Sequence, residues 1–423
     1  MSLRRPSTAP ACFASSPEPC SPKASSAILR ADPDQADMDM RKAHDRFHLS
    51  PETHVLTPDV AGLTVLLETL REGHSLLARP SEEPISPVLE PKQWLYCQSS
   101  GSTGYAKTIR RTPDSWIRSF EMDQEMFGLS SADVYASLGT LSHSLTLFAA
   151  VAACHIGADL AMLGNMAPRG QIAGLERLHA SVLYATPAQL RLLLRAGEGR
   201  VLPGIRLIFS SGGKLDQPTR AALGVLFPQA EVQEIFGATE TSYITLAGPD
   251  APEGSVGTAY PGVELRLTEM DAAGVGEIWM RSPFLFDGYA EGHSAETRWD
   301  GDWLTIGEMG WIDADGNLYP KGRRNRMVTV ADKNVFPEEI EGVLMRVEGV
   351  ELAVALALPD ALRGHRIVAV IQGTAEANKL RHLCRQEIGD HAAPKEIRQL
   401  DTLPMLPAGK PDLRALARLW EDV

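Results

Sequence analysis

Three stretches of this chain combine residue types that could hold an anion or a metal. Ser99-Ser-Gly-Ser-Thr-Gly-Tyr-Ala-Lys107 follows a short apolar run, Trp94 to Cys97. Its small residues let backbone N–H groups converge on an anion, its hydroxyls add donors, and Lys107 adds charge. That makes a phosphate cradle, with a surface turn of small residues as the alternative. It is not a Walker A loop, because Ala106 rather than Gly precedes Lys107 and the glycine spacing differs. Phe236-Gly-Ala-Thr-Glu240 stands at the end of an expected strand, where ligands collect in an open α/β sheet. There the aromatic could stack a base, the glycine admit close approach, and the carboxylate bind magnesium. A strand ending in a helix capped by Thr239 or Thr241 is the plainer reading. Ser210-Ser-Gly-Gly-Lys214 repeats the theme after the apolar Leu207 to Phe209. Further on stand Gly307-Glu308, Gly322-Arg323 and Arg326, and Pro407-Ala-Gly-Lys410 ends a Pro-rich loop, where an isolated lysine is ordinarily a solvated charge.

The surrounding patterns say what carries these groups. Strands are expected at Ala132 to Thr140, Val182 to Ala185, Ile205 to Phe209 and Glu231 to Phe236, and helices at Leu145 to Gly157, Pro187 to Arg195 and Gln217 to Leu226. That alternation predicts helices covering a mostly parallel sheet. Beyond Thr258, short strands with turns at Pro261-Gly262, Ala273-Gly274 and Asp315-Gly316 predict an antiparallel subdomain. After a linker at Lys321 to Arg326, Pro337 opens a helix with Ile340, Val343, Leu344 and Val347 on one stripe, followed by strands at Leu352 to Leu358 and Ile367 to Gln372 and a helix near Ala375 to Ile388. Residues 1 to about 45, rich in Pro, Ser and Ala, read as a disordered tail. A helix is suggested within Val60 to Leu70, Arg79 to Lys92 reads as a Pro-rich connection, and compact structure is expected to begin near Trp94.

Composition narrows the field of functions. At roughly 150 residues per domain, 423 residues make two or three domains. A 44% apolar and 22% charged content excludes collagen-like, coiled-coil and wholly disordered classes. With 41 Lys+Arg against 54 Asp+Glu, the net charge of -13 argues against nucleic acid or an anionic lipid surface as partner, so an anionic ligand must be met by a few well-placed cations. Cys12, Cys20, Cys97, Cys154 and Cys384 are odd in number and form no Cys-x-x-Cys pair, so a reducing, cytoplasmic home is expected. No run of about 18 apolar residues occurs, so no membrane insertion is expected. No Gly-x-Ser-x-Gly elbow occurs either, which sets serine hydrolase chemistry aside.

Taken in order, the motifs resemble the ANL superfamily of AMP-forming adenylating enzymes: acyl- and aryl-CoA synthetases, adenylation domains of peptide synthetases, and luciferases. The likeness runs from about Trp94 to Leu416. Ser100 to Lys107 is similar to the family phosphate loop, Phe236-Gly-Ala-Thr-Glu240 to its Tyr-Gly-x-Thr-Glu, and Ile306-Gly-Glu-Met-Gly310 to its Thr-Gly-Asp-x-Gly. Gly322-Arg323 matches its Gly-Arg, Asn334-Val-Phe-Pro-Glu-Glu-Ile-Glu341 the start of its C-terminal domain, and Gly409-Lys410 its lysine motif. The fold this implies is α/β. A large N-terminal domain (46–322) would hold mostly parallel sheets covered by helices plus the antiparallel subdomain, and a small mobile α+β domain (323–423) would follow.

The resemblance also implies roles. In the loop of Ser99, Ser100, Gly101, Ser102, Thr103 and Gly104, the hydroxyls of Ser102 and Thr103 would hold the β/γ-phosphates of ATP together with Lys107. Phe236, beside Gly237, would stack on adenine, with Gly212 and Gly213 lining the adenine and acyl pocket. Thr239 would touch the α-phosphate, Glu240 would ligate Mg2+, and Glu308 would accept the ribose hydroxyls with Arg323 beside it. Lys410 would reach the reacting carboxylate and α-phosphate. His143, in Leu141-Ser-His-Ser-Leu145, would border the acyl carboxylate, and Leu145, Leu147 and Phe148 suit an aryl or fatty acid. The implied activity is an ATP-dependent ligase that makes an acyl adenylate and passes it to a phosphopantetheine thiol, on CoA or an acyl carrier protein. A noncatalytic nucleotide-binding scaffold or regulator on the same fold competes, against which stand Lys107, Glu240 and Lys410.

This chain departs from the family pattern at several places. Glu308 replaces Asp, Ala106 replaces a common Pro, Arg326 replaces the Asp of the hinge, and Ala331-Asp332 stands where glycines are usual near the thiol tunnel. Only about 98 residues precede the loop, where relatives carry a larger leading subdomain.

Overall fold

The computed structural model describes residues 44–57, 60–98, 107–331, 333–360, 362, 364–406 and 411–420, and the backbone of 28–29, 99–100 and 106. A seven-stranded sheet forms its centre, in the order Thr258–Ala259, Ser242–Ala247, Glu231–Ala238, Leu207–Ser211, Val182–Ala185, Val134–Ser137, Asp159–Met162. The last five are mutually parallel and the first two are antiparallel additions. Side chains alternate across it, as a period of two requires. Tyr135, Val182, Tyr184 and Phe209 enter one apolar cluster with the helix Ser144–Ile156, while Ala136, Leu183, Ala185 and Ile208 enter another with Pro168–Arg177, Pro187–Ala196 and Gln217–Leu226. The predicted helices therefore exist and cover both faces. Local chemistry starts them where the sequence says: Thr186 and Gln189 form a reciprocal capping box ahead of Pro187, and Asp216 accepts from Thr219 N at 2.7 Å.

Two further sheets flank the first. One runs Gly288–Glu291, Ala106–Arg111, Leu95–Ser100, Ser75–Ala78, Ile85–Val88. The other is antiparallel and built on Glu264–Thr268, Gly276–Arg281, Glu308–Ile312 and Leu318–Arg323, with positive φ at the expected turn glycines Gly262, Gly274 and Gly316. C-terminal to these, Val350–Asp360, Gly364–Gly373 and Glu396–Leu400 form a three-stranded sheet with its own core, into which Ile340, Val343 and Leu344 of the helix Pro337–Leu344 are buried.

Three expectations need correction. Within the stretch read as a tail, Ile28–Leu29 pairs antiparallel with Leu265 and Arg266; residues 1–27 and 30–43 lie outside the described residues. The Pro-rich connection contains the strand Ile85–Val88, and Pro87 is tolerated because that strand is the sheet's edge. Compact structure begins well before Trp94: Phe47, Leu63, Leu66 and Leu70 already belong to the main core. Among the described residues no helix is long and apolar enough to cross a membrane.

Under the central sheet lies a buried acid. Asp123, on the helix Pro113–Phe127, accepts from Tyr243 Oη at 2.8 Å and Tyr260 Oη at 2.7 Å, and the two rings stack at 4.2 Å. Burial pushes its carboxyl up to about 7, the two hydroxyls opposing the shift. The native state thus takes up a proton relative to the unfolded chain. That contribution to stability is complete below pH ~4 and is lost as pH rises through about 7. Asp123→Asn keeps one tyrosine hydroxyl donating to its Oδ1, lets its amide donate to the other hydroxyl, and removes the titration. Thermal unfolding between pH 5 and 8 should show wild type losing on the order of 2 kcal/mol more than the variant across that range.

Candidate active site

The carboxyl edge of the parallel sheet gathers several of the singled-out residues. Glu231–Ala238 lies beside Leu207–Ser211 with Ile235 opposite Ser211, so the Gly212-Gly213 turn and the Phe236–Glu240 segment leave the sheet side by side. Ser211 Oγ donates to Ile235 O at 3.0 Å and ties the two exits together. Gly212 holds φ 87°, a left-handed conformation that favours glycine. His143, at the boundary preceding Ser144–Ile156, is exposed at the same edge and does not cap its helix through its side chain. Leu147 and Phe148, expected to line an acyl pocket, instead face the core: Phe148 packs on Trp116, Phe120, Tyr184 and Tyr243, because the helix turns that face inward. Leu145 is half-buried.

The Phe236–Glu240 segment owes its shape to one close approach. The strand shifts register between Phe236 and Gly237 and turns back into Ser242–Ala247, so the expected helix cap at Thr239 or Thr241 does not form. Thr241 Oγ1 instead accepts from Ala238 N at 2.9 Å across the turn. A Cβ at Gly237 would stand 1.8 Å from Ser242 O, so only glycine fits there. Phe236, Thr239 and Glu240 remain half-buried beyond it.

Lys107 and Glu240 are brought together by a residue the sequence did not single out. Tyr289 Oη donates to Glu240 Oε1 at 2.9 Å and shares a 2.9 Å hydrogen bond with Thr297, while Lys107 Nζ lies 5.8 Å from the Tyr289 ring centroid. Burial and the Glu240 charge raise the Tyr289 hydroxyl well above its ordinary range, so it stays a donor. Arg111 was missed as well. Its guanidinium, fully buried, donates to Thr239 O from Nε at 3.0 Å and from an Nη at 2.9 Å, and from the other Nη to Phe284 O at 2.8 Å and Ser115 Oγ at 3.0 Å. Burial lowers it to about 10, which leaves it charged at neutral pH. A signal for Arg111 existed: strand alternation places it on the face of Ile109. Tyr289 carried none.

Glu308 and Arg323 face each other on adjacent antiparallel strands, Arg323 Nε donating to Glu308 Oε1 at 3.0 Å. Gly307 beside them, at φ 78°, packs against Glu296, the neighbour of Thr297. The carboxylate is thus linked through 296–297 to the Tyr289 corner. Of the remaining expected residues, Ser99 and Ser100 are placed by backbone alone, opposite Lys107 and Ala106. Gly101, Ser102, Thr103, Gly104 and Lys410 lie outside the described residues.

The donor set suits a nucleotide with magnesium. Among the described residues no three or more His, Cys, Asp or Glu converge as metal ligands. Magnesium needs no such cage, since it is ordinarily held by one or two carboxylates together with phosphate oxygens and water, and Glu240 is a half-buried carboxylate at this edge. An open groove of about 540 Å3 between Phe47, Pro51, Leu67 and Arg71 lies against the helix Leu63–Glu72 and not at these strand ends.

Residues 23–290 match the model of the AMP-binding enzyme family, and residues 339–410 that of the AMP-binding enzyme C-terminal domain. An uncharacterized acyl-CoA ligase of Bacillus subtilis is 31% identical over 343 residues, 79% of this chain and 70% of that protein. A 2-succinylbenzoate–CoA ligase of Lactococcus lactis is 28% identical over 240 residues, 56% of this chain and 52% of that protein. Among solved structures, ATP-bound MatB from Rhodopseudomonas palustris matches with TM-score 0.67 and 25% identity over 78% of this chain and 68% of that one. The amide bond synthetase McbA from Marinactinospora thermotolerans matches with TM-score 0.68 and 24% identity over 80% and 71%.

Gly237→Ala should test the close approach directly. The backbone must move to admit the methyl, which should cost about 1–3 kcal/mol in thermal unfolding and weaken nucleotide binding beyond what the stability loss explains.

Proposed function

The chain belongs to the AMP-binding enzyme family, and from that premise we propose that it is an ATP-dependent, AMP-forming acid–CoA ligase whose reaction takes place at the carboxyl edge of the central sheet. The observation that carries this reading is the meeting of Lys107 and Glu240 at Tyr289, beside the Phe236–Glu240 turn. A cation, a carboxylate able to hold a metal and a half-buried aromatic at one strand edge are what a nucleoside triphosphate requires. The relatives, an acyl–CoA ligase and a 2-succinylbenzoate–CoA ligase, support the same class.

The chemistry asks little of the protein beyond placement. A carboxylic acid of pKa about 4.3 is ionised at neutral pH and attacks the α-phosphorus without a general base. Mutual repulsion of two anions is the obstacle. Lys107, with the loop from Ser99 to Gly104, holds the β/γ-phosphates, Thr239 meets the α-phosphate, and Lys410 neutralises charge where acid and phosphate meet. Phe236 and the Gly212-Gly213 turn take the adenine between them, Glu308 receives the ribose hydroxyls with Arg323 fixing its carboxylate, and His143 borders the acid. Magnesium, held by Glu240, supplies charge neutralisation on the phosphates. The acid is aryl or fatty, approached past Leu145. CoA is the acceptor; delivery to a carrier protein is a narrower variant, and an amide bond synthetase on the same fold means that acceptor chemistry has to be measured.

Transfer to the thiol requires the C-terminal unit to move, and the linker suggests its pivot. Arg324 is held by the large unit: its N donates to Gly307 O at 2.8 Å, and its guanidinium pairs with Glu277 and Glu269, both at 2.9 Å. Arg326 is held by the other: it pairs with Glu341 at 2.7 Å and Glu338 at 3.1 Å and donates to Ala355 O at 3.0 Å. Within the linker expected over Lys321 to Arg326, the pivot narrows to Asn325, between two clamped arginines.

Exchange of labelled pyrophosphate into ATP, run over benzoates, cinnamates and fatty acids, tests the reading. Acid-dependent exchange is expected. Nucleotide binding without exchange for any acid would favour the scaffold. Lys410→Ala should lower exchange about 100- to 1,000-fold with ATP binding kept, by analogy with the roughly 2.7–4 kcal/mol that one preorganised donor contributes. Asn325→Pro fixes φ at the pivot and should slow one half-reaction at least about tenfold while sparing the other; equal loss in both would move the pivot elsewhere.

A further inference from the structure

We infer that Arg111 is the positioning residue of this site, a buried cation that pins the Thr239–Glu240 turn from beneath and thereby sets where the metal-holding carboxylate stands. The inference rests on the proposed roles of Thr239 and Glu240.

Burying a guanidinium is costly, and it is usually compensated by a carboxylate partner. Among the described residues Arg111 has none in contact: its four hydrogen bonds there go to Thr239 O twice, Phe284 O and Ser115 Oγ. The two carbonyls bracket Glu240. Thr239 immediately precedes it, and Phe284 lies two residues before Phe286, whose N donates to Glu240 O at 2.9 Å. One side chain thus fastens both segments that frame the carboxylate, the turn and the strand approach leading to Tyr289. Its charge acts on the same group, since Glu240 is among the anions that stabilise the Arg111 cation. Trp116 walls off the other side, with the guanidinium carbon 6.0 Å from its ring centroid. An apolar residue would fill this space if packing were all it served. Nothing there but the planar five-donor fork reaches two carbonyls and a hydroxyl at once.

The test compares wild type with Arg111→Lys, which keeps the charge but loses the fork, and with Ser115→Ala, which removes one of the four bonds and leaves the rest. Amide hydrogen exchange on the unliganded protein should rise at least about tenfold over 236–242 and 284–289 in Arg111→Lys, and about two- to threefold in Ser115→Ala, with Val134–Ser137 and Val182–Ala185 unchanged. Pyrophosphate exchange should then need at least about fivefold more Mg2+ for half-saturation in Arg111→Lys. The effect of Arg111→Lys should largely vanish in a Glu240→Gln background. Unchanged protection at 236–242 in a folded variant overturns the inference, and so does an unchanged Mg2+ dependence. If wild type exchanges no pyrophosphate, the proposed reaction fails, while the hydrogen-exchange comparison still decides whether Arg111 pins the turn. If Arg111→Lys does not fold, protection in Ser115→Ala decides the same point.

Discussion

The backbone of Gly237 passes so close to the carbonyl of Ser242 that no side chain fits between them. Everything at the candidate site follows from that contact. It turns a strand of the central sheet sharply back on itself, and the five residues at the bend are carried past the sheet's edge. The turn of Thr239 and Glu240 therefore meets groups from the neighbouring five-stranded sheet, with Tyr289 and Arg111 as the points of attachment. Ser242 bears part of the strain at φ 57°, outside the range favoured by ordinary residues.

Much of this was legible in the sequence because it is local. Apolar runs with flanking turn residues marked Val182–Ala185, Gln217–Leu226 and the helix beginning at Pro337, all of which fold as read. Alternation of helix and strand implied a parallel sheet, and the ends of its strands marked where a ligand would sit. What escaped was set by tertiary contact. The strand Asp159–Met162 and the helix Pro168–Arg177 carry no cue strong enough to stand apart from their surroundings. Ile85–Val88 hides behind its proline, and Tyr289 becomes part of the site only because its strand pairs with the one bearing Lys107. Phe148 was misplaced for a related reason: a helix hydrophobic nearly all round does not announce which face meets a ligand.

The C-terminal unit keeps one family feature under different chemistry. Ala331, where the resemblance leads one to expect glycine, adopts φ 48°, a left-handed conformation that costs a residue with a Cβ about 1–2 kcal/mol. At the linker, an arginine in place of an aspartate is answered by Glu338 and Glu341 on the following helix. In the proposed reading, this lets the small unit turn as one piece while Arg324 stays with the sheet.

The central claim is that a nucleotide lies between the Gly212-Gly213 turn and Phe236, with its ribose on Glu308 and its phosphate at Thr239. A crystal structure with a non-hydrolysable acyl-sulfamoyl adenosine tests it most directly. The account predicts adenine against the Phe236 ring, a ribose hydroxyl within hydrogen-bond distance of the Glu308 carboxylate, and the sulfamate beside Thr239. Adenosine seated elsewhere, for instance in the groove between Pro51 and Arg71, with Phe236 and Glu308 untouched, would contradict it.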